Sequence, residues 1–591
     1  MSRGPSTTAT TDTEKIPWTA AVGPPPRSYA ASAASHSEAQ SSPMTALWQD
    51  RGWAIALTLL VLALTLVPPT AARLLGPMDR VHVGTYWYHE DFTVYLAAMR
   101  EAATTPSWLI HNHFTTEPHG PIMMFPLYVL IGKVAAFTGL PVLGVYGGFE
   151  VGARAILAFT IYAFIAALVP AGSGRRFGFV LAVFTAGLGF WTALLHALTA
   201  TPGETSGRLI NLYVEATTLG TFLTAPHITL GLASILGGLI AFARAARGSW
   251  TALAPLAGCV VVLGLVHPFN APVLLASFGA YLVVRTLLDR RIPWGAARAT
   301  AVAAAVGGPI VLYNYVAFTF TPVWSETFGT QNLLPSAQPW ELLLDYGVVL
   351  LLAPLGMLAI RGRTTVEQRV VLAFLAVIAV CVYLPVPYQR RFAFGVQPAL
   401  AAFAALGWPV AQGALARLLQ RLGSSKLAAQ SVARRLLGYS LIPLAFTTVL
   451  AAYFIVLSSA VSGAPLAYYV VDRDTYALGE WIAAHSGPDD VTLGSMDTGS
   501  ALASLVPGHV YVGHIGVTVR AGDKKKEVAA LYGGQKTAEE ARRFLESNRV
   551  TYVVEGPEER KLGGWDPGEQ LGLEVAAREG AATAYRTGFG R

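Results

Sequence analysis

Residues 89–121 read HEDFTVYLAAMREAATTPSWLIHNHFTTEPHGP and form a polar loop between apolar blocks of the chain. The loop opens with two adjacent carboxylates, Glu90 and Asp91, soon after the first apolar segment. A short amphipathic segment follows, and the loop ends in a histidine-rich run that contains Glu117. Because almost all of the surrounding sequence is apolar, this loop holds the densest collection of titratable groups near a membrane, and we expect any chemistry to begin here.

The composition places the chain in a membrane. The 591 residues are 53% apolar and 13% charged, with a mean hydropathy of +0.48, whereas soluble domains carry about 25% charged residues. The 42 basic residues outnumber the 35 acidic ones. Most arginines lie in short loops between apolar segments, where they set membrane topology. The sequence contains no nucleic-acid-binding motif, so we expect no nucleic-acid partner.

Three parts of the chain differ in composition. Residues 1–45 are rich in Ser, Thr, Ala and Pro, without an apolar core, and predict a disordered cytosolic tail and not a signal peptide. Residues 46–460 alternate between apolar segments and short loops and predict a transmembrane domain. Residues 461–591 predict a separate small domain. The two cysteines both lie in apolar segments, so the sequence indicates no disulfide framework.

The apolar segments predict a polytopic α-helical membrane protein with about eleven spans, since each segment approaches the length that a bilayer requires. The spans are expected at 53–67, 147–169, 177–196, 216–243, 251–266, 271–288, 299–319, 342–360, 370–384, 394–411 and 438–460.

Residues 121–137 decide the orientation, because this apolar segment contains two prolines and Lys133. If it is an interfacial or re-entrant part of a first outer loop, 68–146, the Arg-rich loops all fall on one side of the membrane. If it crosses, Arg175, Arg176 and every later basic loop move to the side opposite the N-terminus. The excess of basic residues in cytoplasmic loops therefore favours eleven spans, with the N-terminus inside and the C-terminus outside.

In this orientation, the polar residues that the positive-inside bias does not account for lie on the outer face. Besides the first loop, the outer segments hold Glu215, the HPFN turn at 267–270, the WSE run at 324–326 and Tyr388–Arg391. This gathering is the strongest functional signal in the sequence.

The C-terminal residues predict a small α/β domain on the outer side. Apolar alternation in VTLGS, HVYVGH and VTYVVEG predicts strands, while Tyr476–His485 and Thr537–Asn548 have helical patterns. Thr537 followed by Glu540 fits a capping box at a helix start. An alternation of strands and helices over about 120 residues is typical of an α/β domain.

Asp91 and Glu90 are the candidate catalytic residues. A partly desolvated carboxylate that faces a cavity at a membrane exit can accept a proton from an attacking hydroxyl. The alternative is a pair of solvated charges at a helix end. Because several other ionisable groups share the loop, the catalytic interpretation is favoured.

Three arginines are candidates for binding an anionic substrate. Arg390 and Arg391 lie on the expected outer side, against the topological bias, and arginine suits bidentate phosphate recognition; headgroup anchoring is the alternative. Arg154 lies near the outer end of a span, where a buried charge needs a partner or water. It could face an anionic ligand, or pair with Glu150 four residues earlier as a structural ion pair.

The histidines give weaker signals. His111, His113, Glu117 and His119 suit a divalent cation by residue type, but their spacing matches no zinc signature. We therefore expect no bound metal, and we expect Glu117 and His119 to make hydrogen bonds or contact substrate. His267, beside a proline at a span end, is a further candidate for substrate binding, although a lone histidine at a helix break is more often structural.

In combination these features resemble the GT-C glycosyltransferases, a polytopic class that includes protein O-mannosyltransferases, lipid A aminoarabinose transferases and oligosaccharyltransferase catalytic subunits. The resemblance is carried by the acidic pair after the first span, by PHGP and then PLY in a long first outer loop, and by a Gly-Leu break before a span with an arginine near its start. The residues concerned are Glu90–Asp91, Pro118–Pro121, Pro126–Tyr128, Gly139–Leu140, Arg154 and Arg175–Arg176. Residues 50–200 match well, and the middle spans match in character only.

The resemblance implies a polyprenyl-phosphate-linked sugar as donor, used on the outer leaflet with inversion at the anomeric carbon. We expect no cofactor. Asp91 or Glu90 would deprotonate a glycan, lipid or protein acceptor; the two share a site, so separate pKa values are not assigned to them. Arg390 and Arg391, and also Arg154, would hold the leaving phosphate, an assignment that rests on topology alone. The absence of a WWDYG-like motif argues against transfer to a peptide asparagine.

Two other classes of function compete with this one. A transporter or flippase of a lipid-linked or anionic substrate should place ionisable groups at the bilayer midplane and often shows internal repeats, which the sequence lacks. A non-catalytic membrane scaffold that binds a partner through the C-terminal domain would leave the carboxylate pair unexplained.

Overall fold

The computed structural model describes residues 51–84, 89–199, 214–331, 333–462 and 470–589. The tail expected at 1–45 lies outside these residues. Most of the described chain is helical, and its long apolar helices confirm a polytopic membrane protein.

Within these ranges, eight helices are long and apolar enough to cross a membrane. They are Gly52–Leu75, Val142–Leu168, Pro226–Ala246, Asn270–Asp289, Trp294–Phe320, Glu341–Ala359, Gln389–Arg421 and Lys426–Ser462. A bent pair, Ser173–Phe184 and Gly189–Thr199, makes a ninth crossing if its two halves act as one span.

The remaining expected spans fall on shorter helices. Leu253–Val266 has 14 residues and Val366–Cys381 has 16, so at 1.5 Å per residue they extend about 21 and 24 Å, against a hydrocarbon core of about 30 Å. The other helices of this part are His89–Thr104, Pro126–Thr138, Thr218–Phe222, Pro322–Gln331 and the 3₁₀ turn Gln389–Ala393.

The ambiguous apolar segment of the first loop forms the helix Pro126–Thr138. Proline suits its first position, where the missing N–H has no role, and Gly139 ends it with a positive φ of 71°. Its 13 residues reach only about 20 Å, too short to cross alone. It packs on His89–Thr104, and a Cβ on Gly132 would collide with the Met99 carbonyl oxygen.

Basic loops meet at the end of the helices away from the polar loops. The Arg247 guanidinium pairs with the buried Glu367 carboxylate at 2.6 Å, which joins two of the loops. The Arg176 guanidinium lies 5.4 Å from the centre of the Trp53 ring. These contacts agree with the expectation that the Arg-rich loops share one side.

Residues 470–589 contain a five-stranded sheet. Its strands are β3 Val491–Leu493, β4 His509–Val510, β5 Val550–Glu555, β6 Glu574–Glu579 and β7 Ala582–Arg586. They lie in the order β4-β3-β5-β7-β6, with β3 parallel to β4 and β5, and β7 antiparallel to β5 and β6. The helices are Arg473–His485, Met496–Ala503, Ala521–Tyr532, Ala538–Ser547, Pro557–Arg560 and Pro567–Leu571. The capping box of Thr537 and Glu540 is confirmed.

The run HVYVGH departs from the expected strand. Only His509–Val510 pairs as β4, and residues 511–520 form turns. The reason is local, because the backbone N–H groups of Gly513 and His514 both donate to the Thr518 hydroxyl instead of to a neighbouring strand.

A second, two-stranded sheet joins the two parts of the molecule. β1, Arg80–His82, follows the first long helix and pairs antiparallel with β2, Val470–Asp472, at the start of the C-terminal residues. The C-terminal residues are therefore held against the first loop by backbone hydrogen bonds as well as by side chains.

Candidate active site

A cavity of about 900 Å³ lies between the helix ends and the C-terminal residues. Its lining comes from the first loop, from the ends of several long helices, from the middle of helix Trp294–Phe320, and from residues 514–523. The polar lining includes Asp91, Glu215, His267, Arg390, Arg391 and His514, and the apolar lining includes Met123, Phe269, Ile310, Phe318 and Leu334. The cavity thus offers charged groups of both signs beside an apolar wall.

Asp91 lies in the first turn of helix His89–Thr104, where the backbone N–H groups favour a negative charge. Its side chain is 28% exposed and faces His514, whose Nε2 lies 3.5 Å from the Asp91 Oδ1. The Glu90 side chain lies outside the described residues. Asp91 is therefore a partly desolvated carboxylate in the wall of a cavity.

Arg390 and Arg391 reach the cavity from the 3₁₀ turn Gln389–Ala393. The Arg390 Nε lies 3.7 Å from the buried Glu215 carboxylate. The Arg391 guanidinium lies 5.1 Å from the centre of the Phe269 ring, and its buried Nε has no hydrogen-bond partner among the described residues. Because Arg391 lines the cavity, its guanidinium is placed to bind an anion there.

An aromatic layer lies between Asp91 and the helices. Tyr95, one turn after Asp91, stacks on Tyr128 at 4.2 Å, and the Tyr128 hydroxyl bonds the His227 Nδ1 at 2.6 Å. Burial raises the pKa of the Tyr95 phenol well above its ordinary value; the Asp91 carboxylate adds to this effect and Arg391 opposes it. Asp91 and Arg391 are thus close enough to act on the same ring.

His267 also lines the cavity. Its Nδ1 lies 2.8 Å from the Asn270 amide nitrogen, which donates to it, and its ring stacks on Phe394 at 5.0 Å. These two contacts fix the orientation of the imidazole at the start of helix Asn270–Asp289.

The remaining candidates do not line the cavity. Arg154 is fully buried; its guanidinium pairs with Glu150 at 2.8 Å, and its Nε donates to the Phe222 carbonyl at 2.7 Å. The Glu117 carboxylate pairs with the buried Lys524 at 2.9 Å. The His119 Nε2 accepts from the backbone N–H of Asn112 at 2.8 Å.

Residues 112–117, here called the docking segment, fasten the C-terminal residues to the first loop. The Asn112 amide donates to the Val517 carbonyl at 2.8 Å, the Phe114 carbonyl accepts from the Thr518 hydroxyl at 2.7 Å, and the backbone N–H of Val510 donates to the His113 carbonyl at 2.9 Å. Burial disfavours ionisation of Glu117, but its hydrogen bonds from Thr115 and Lys524 prevail, and its pKa is lowered.

A histidine cluster borders the docking segment. The Glu101 carboxylate bonds His111 at 2.7 Å and His113 at 3.1 Å; burial disfavours its ionisation, but these hydrogen bonds prevail and lower the pKa of Glu101. Burial, helped by the charges of His113 and His119, lowers the pKa of His509 to about 4. In the described ranges, no three His, Cys, Asp or Glu side chains are arranged to hold a metal ion.

Residues 514–523 were missed as contributors to the site. His514 and Arg520 line the cavity together with Asp91. The HVYVGH run predicted a strand instead. The docking that turns this run toward Asp91 is a tertiary contact, so it leaves no pattern in the local sequence. Tyr95 likewise reads as part of an ordinary amphipathic helix. A glycine before a histidine is the local signal at His514, and His509 after Gly508 carries the same signal.

No protein-family model matches the sequence, and no curated protein matches it. Among solved structures, the chain is similar to the arabinofuranosyltransferase AftD from mycobacteria, with 13% identity, a TM-score of 0.48, and coverage of 92% of this chain and 42% of that one. It is similar to ArnT from Cupriavidus metallidurans, with 15% identity, a TM-score of 0.46, and coverage of 90% and 98%. It is also similar to the oligosaccharyltransferase of Archaeoglobus fulgidus, with 13% identity, a TM-score of 0.43, and coverage of 86% and 70%.

These structural neighbours are glycosyltransferases of the GT-C type, the class that the sequence resembles. Identities and scores at this level do not assign a reaction or the role of a residue, which therefore rest on the site itself.

Proposed function

We propose that the protein is a membrane glycosyltransferase that moves a sugar from a polyprenyl-phosphate donor to an acceptor hydroxyl, with inversion at the anomeric carbon. The observation that carries the proposal is a single cavity in which the Asp91 carboxylate, the Arg390 and Arg391 guanidinium groups and an apolar wall meet. A donor with an anionic phosphate and a hydrocarbon chain needs both kinds of surface.

In the proposed reaction, Asp91 accepts the proton of the acceptor hydroxyl while the hydroxyl oxygen bonds the anomeric carbon. The bond between that carbon and the phosphate oxygen breaks, and its electron pair leaves with the polyprenyl phosphate. Arg390 and Arg391 stabilise the charge that develops on the phosphate. Attack from the face opposite the leaving group inverts the anomeric carbon, and no further co-reactant is needed.

We further propose that the cavity opens on the outer side of the membrane, with eleven crossings between residues 46 and 460 and residues 461–591 forming an extracytoplasmic domain. Support comes from the cavity lining, most of whose residues belong to the segments expected outside or to the adjoining helix ends; Pro309 and Ile310 extend it to the middle of helix Trp294–Phe320. The acceptor is an outer glycan, lipid or protein.

Transfer of labelled sugar from a panel of polyprenyl-phosphate donors tests the proposal in membranes. Wild-type protein should transfer sugar and Asp91→Asn should not, because the amide cannot accept the hydroxyl proton. Asp497→Asn is the matched control, since Asp497 also lies in the first turn of a helix but is exposed and outside the cavity.

Two results would contradict the proposal. If wild-type membranes transfer no sugar from any donor, the proposed transfer reaction is wrong. If Asp91→Asn and Glu90→Gln both keep full activity, the transfer reaction stands, but the assignment of the catalytic base is wrong.

A further inference from the structure

Residues 511–520 of the C-terminal part form a turn that places the His514 side chain next to Asp91, the proposed base. The docking segment holds this turn in place, since the Thr518 hydroxyl donates to the Phe114 carbonyl at 2.7 Å and the Val519 N–H donates to the Thr115 hydroxyl at 3.2 Å. The turn is also closed on itself, because the Gly513 and His514 N–H groups share the Thr518 hydroxyl. A turn held at several points can position a side chain accurately.

His514 is one of the buried residues of this turn, with 4% of its surface exposed. The Gly516 N–H donates to its Nδ1 at 2.9 Å, so that nitrogen carries no proton. The neutral imidazole therefore holds its proton on Nε2. Among the described residues, the His514 Nε2 has no hydrogen-bond partner. It lies 3.5 Å from the Asp91 Oδ1, slightly longer than an ordinary hydrogen bond. Such distances commonly shorten when substrate binds.

We propose that His514 is a positioning residue for Asp91: its Nε2–H donates to the Asp91 Oδ1 and holds the carboxylate so that Oδ2 takes the acceptor proton. The inference rests on the proposed transferase function. His514 does not act as the base itself, because its Nδ1 accepts from Gly516 and its Nε2 already carries a proton. The C-terminal residues thereby complete the active site instead of only covering it.

A pair of nearly isosteric variants tests the role of the donor. His514→Met and His514→Gln both lose the Nδ1 acceptor, but only glutamine keeps an N–H at the position of Nε2. His514→Met should lower kcat about 10- to 100-fold, equal to about 1.4–2.7 kcal/mol at the transition state, with the donor KM unchanged because the arginines bind the phosphate. His514→Gln should recover most of the loss.

His485→Met is the matched control, since His485 is an exposed histidine of the same part of the chain and does not line the cavity. Its kcat should equal that of wild type. The melting temperature of each variant in detergent separates loss of the donor from loss of folded protein.

The outcomes distinguish the inference from the function on which it rests. If wild type is active and Asp91→Asn is inactive, but His514→Met keeps its full kcat, the role of His514 is overturned and the transferase stands. Equal losses in the Met and Gln variants also overturn the positioning role. Inactive wild type overturns the transferase itself.

Discussion

At the scale of single residues, two arginines, Arg154 and Arg391, have different surroundings. Arg154 is enclosed by Glu150 and the Phe222 carbonyl, which satisfies the charge inside a long helix. Arg391 instead lines the cavity, where its guanidinium lies 5.1 Å from the centre of the Phe269 ring. The first arrangement suits structure, and the second suits a ligand.

Replacing Arg154 should therefore reduce stability. Arg154→Met leaves Glu150 buried without its cation, and breaking a buried pair costs about 3–5 kcal/mol. The melting temperature in detergent measures this loss. Arg285→Met is the control, because Arg285 and Asp289 have the same spacing but are partly exposed, where an ion pair contributes about 0–1 kcal/mol. Equal melting temperatures for the two variants would contradict the structural role.

Replacing Arg391 should instead weaken donor binding. Arg391→Gln removes a charged donor from the cavity wall, and hydrogen bonds to charged groups contribute about 1.5–3 kcal/mol, so the donor KM should rise by about 10-fold or more. Steady-state transfer rates at varied donor concentration measure it. Arg361→Gln, an exposed arginine of an Arg-rich loop, should leave KM unchanged; an unchanged KM in Arg391→Gln would remove the phosphate-binding role.

At the scale of elements, small residues determine how closely the long helices approach. Gly356 and Gly407 lie where Glu341–Ala359 crosses Val396–Arg421, and a Cβ on either would collide with a carbonyl oxygen of the other helix. Membrane helices lack a hydrophobic driving force toward each other, so close backbone contact contributes much of their association.

Gly407→Ala should destabilise the bundle by about 1–3 kcal/mol, the usual cost of overpacking. Gly413, on the same helix, has open space around its Cβ position, so Gly413→Ala should be neutral or stabilise by up to about 1 kcal/mol through helix propensity. Melting temperatures of both variants in detergent make the comparison. A Gly407→Ala protein as stable as Gly413→Ala would contradict the close crossing.

At the scale of the whole molecule, the docking of the C-terminal residues should depend on pH. Burial, helped by His113 and His119, lowers the pKa of docked His509 from 6.5 to about 4, whereas undocked His509 titrates normally. As pH falls from 6.5 toward 4, only the undocked form takes up a proton, so docking weakens over this window and is unaffected above it. Glu101 has a lowered pKa, so it adds its effect only at lower pH, from the range in which a free glutamate takes up a proton downward.

Melting temperatures measured from about pH 7.5 down to about pH 5 test this dependence. Wild type should lose stability as pH falls, and His509→Gln should show a smaller loss because the titrating group is gone. His485→Gln should behave as wild type, since His485 is exposed and its ring stacks on Trp481. An identical pH dependence in His509→Gln would show that another group controls docking.

The orientation of the molecule is testable with single cysteines on a background without Cys259 and Cys381. Ser547 is exposed at the end of helix Ala538–Ser547, and Ser424 is exposed in the basic loop before Lys426. In intact cells, a membrane-impermeant thiol reagent should label Ser547→Cys and not Ser424→Cys. The opposite pattern would invert the topology and place the cavity in the cytosol.

The sequence by itself determined those features that depend on neighbouring residues. Apolar segments of bilayer length predicted the long helices, and the Thr537–Glu540 spacing predicted a capping box that the structure contains. The short helices Leu253–Val266 and Val366–Cys381 also fall where spans were expected. Periodicity, hydropathy and caps are local, so they can be recognised in one sequence.

Only the tertiary structure decided which distant polar residues meet. Arg154 and Arg391 are both arginines beside apolar runs, yet the Arg154 Nε donates to the Phe222 carbonyl and Arg391 lines the cavity with Asp91. His514 joins Asp91 only because the docking segment turns the end of an expected strand toward the cavity. Contacts between remote segments depend on how whole elements pack, and that information is not carried by the spacing of residues along one segment.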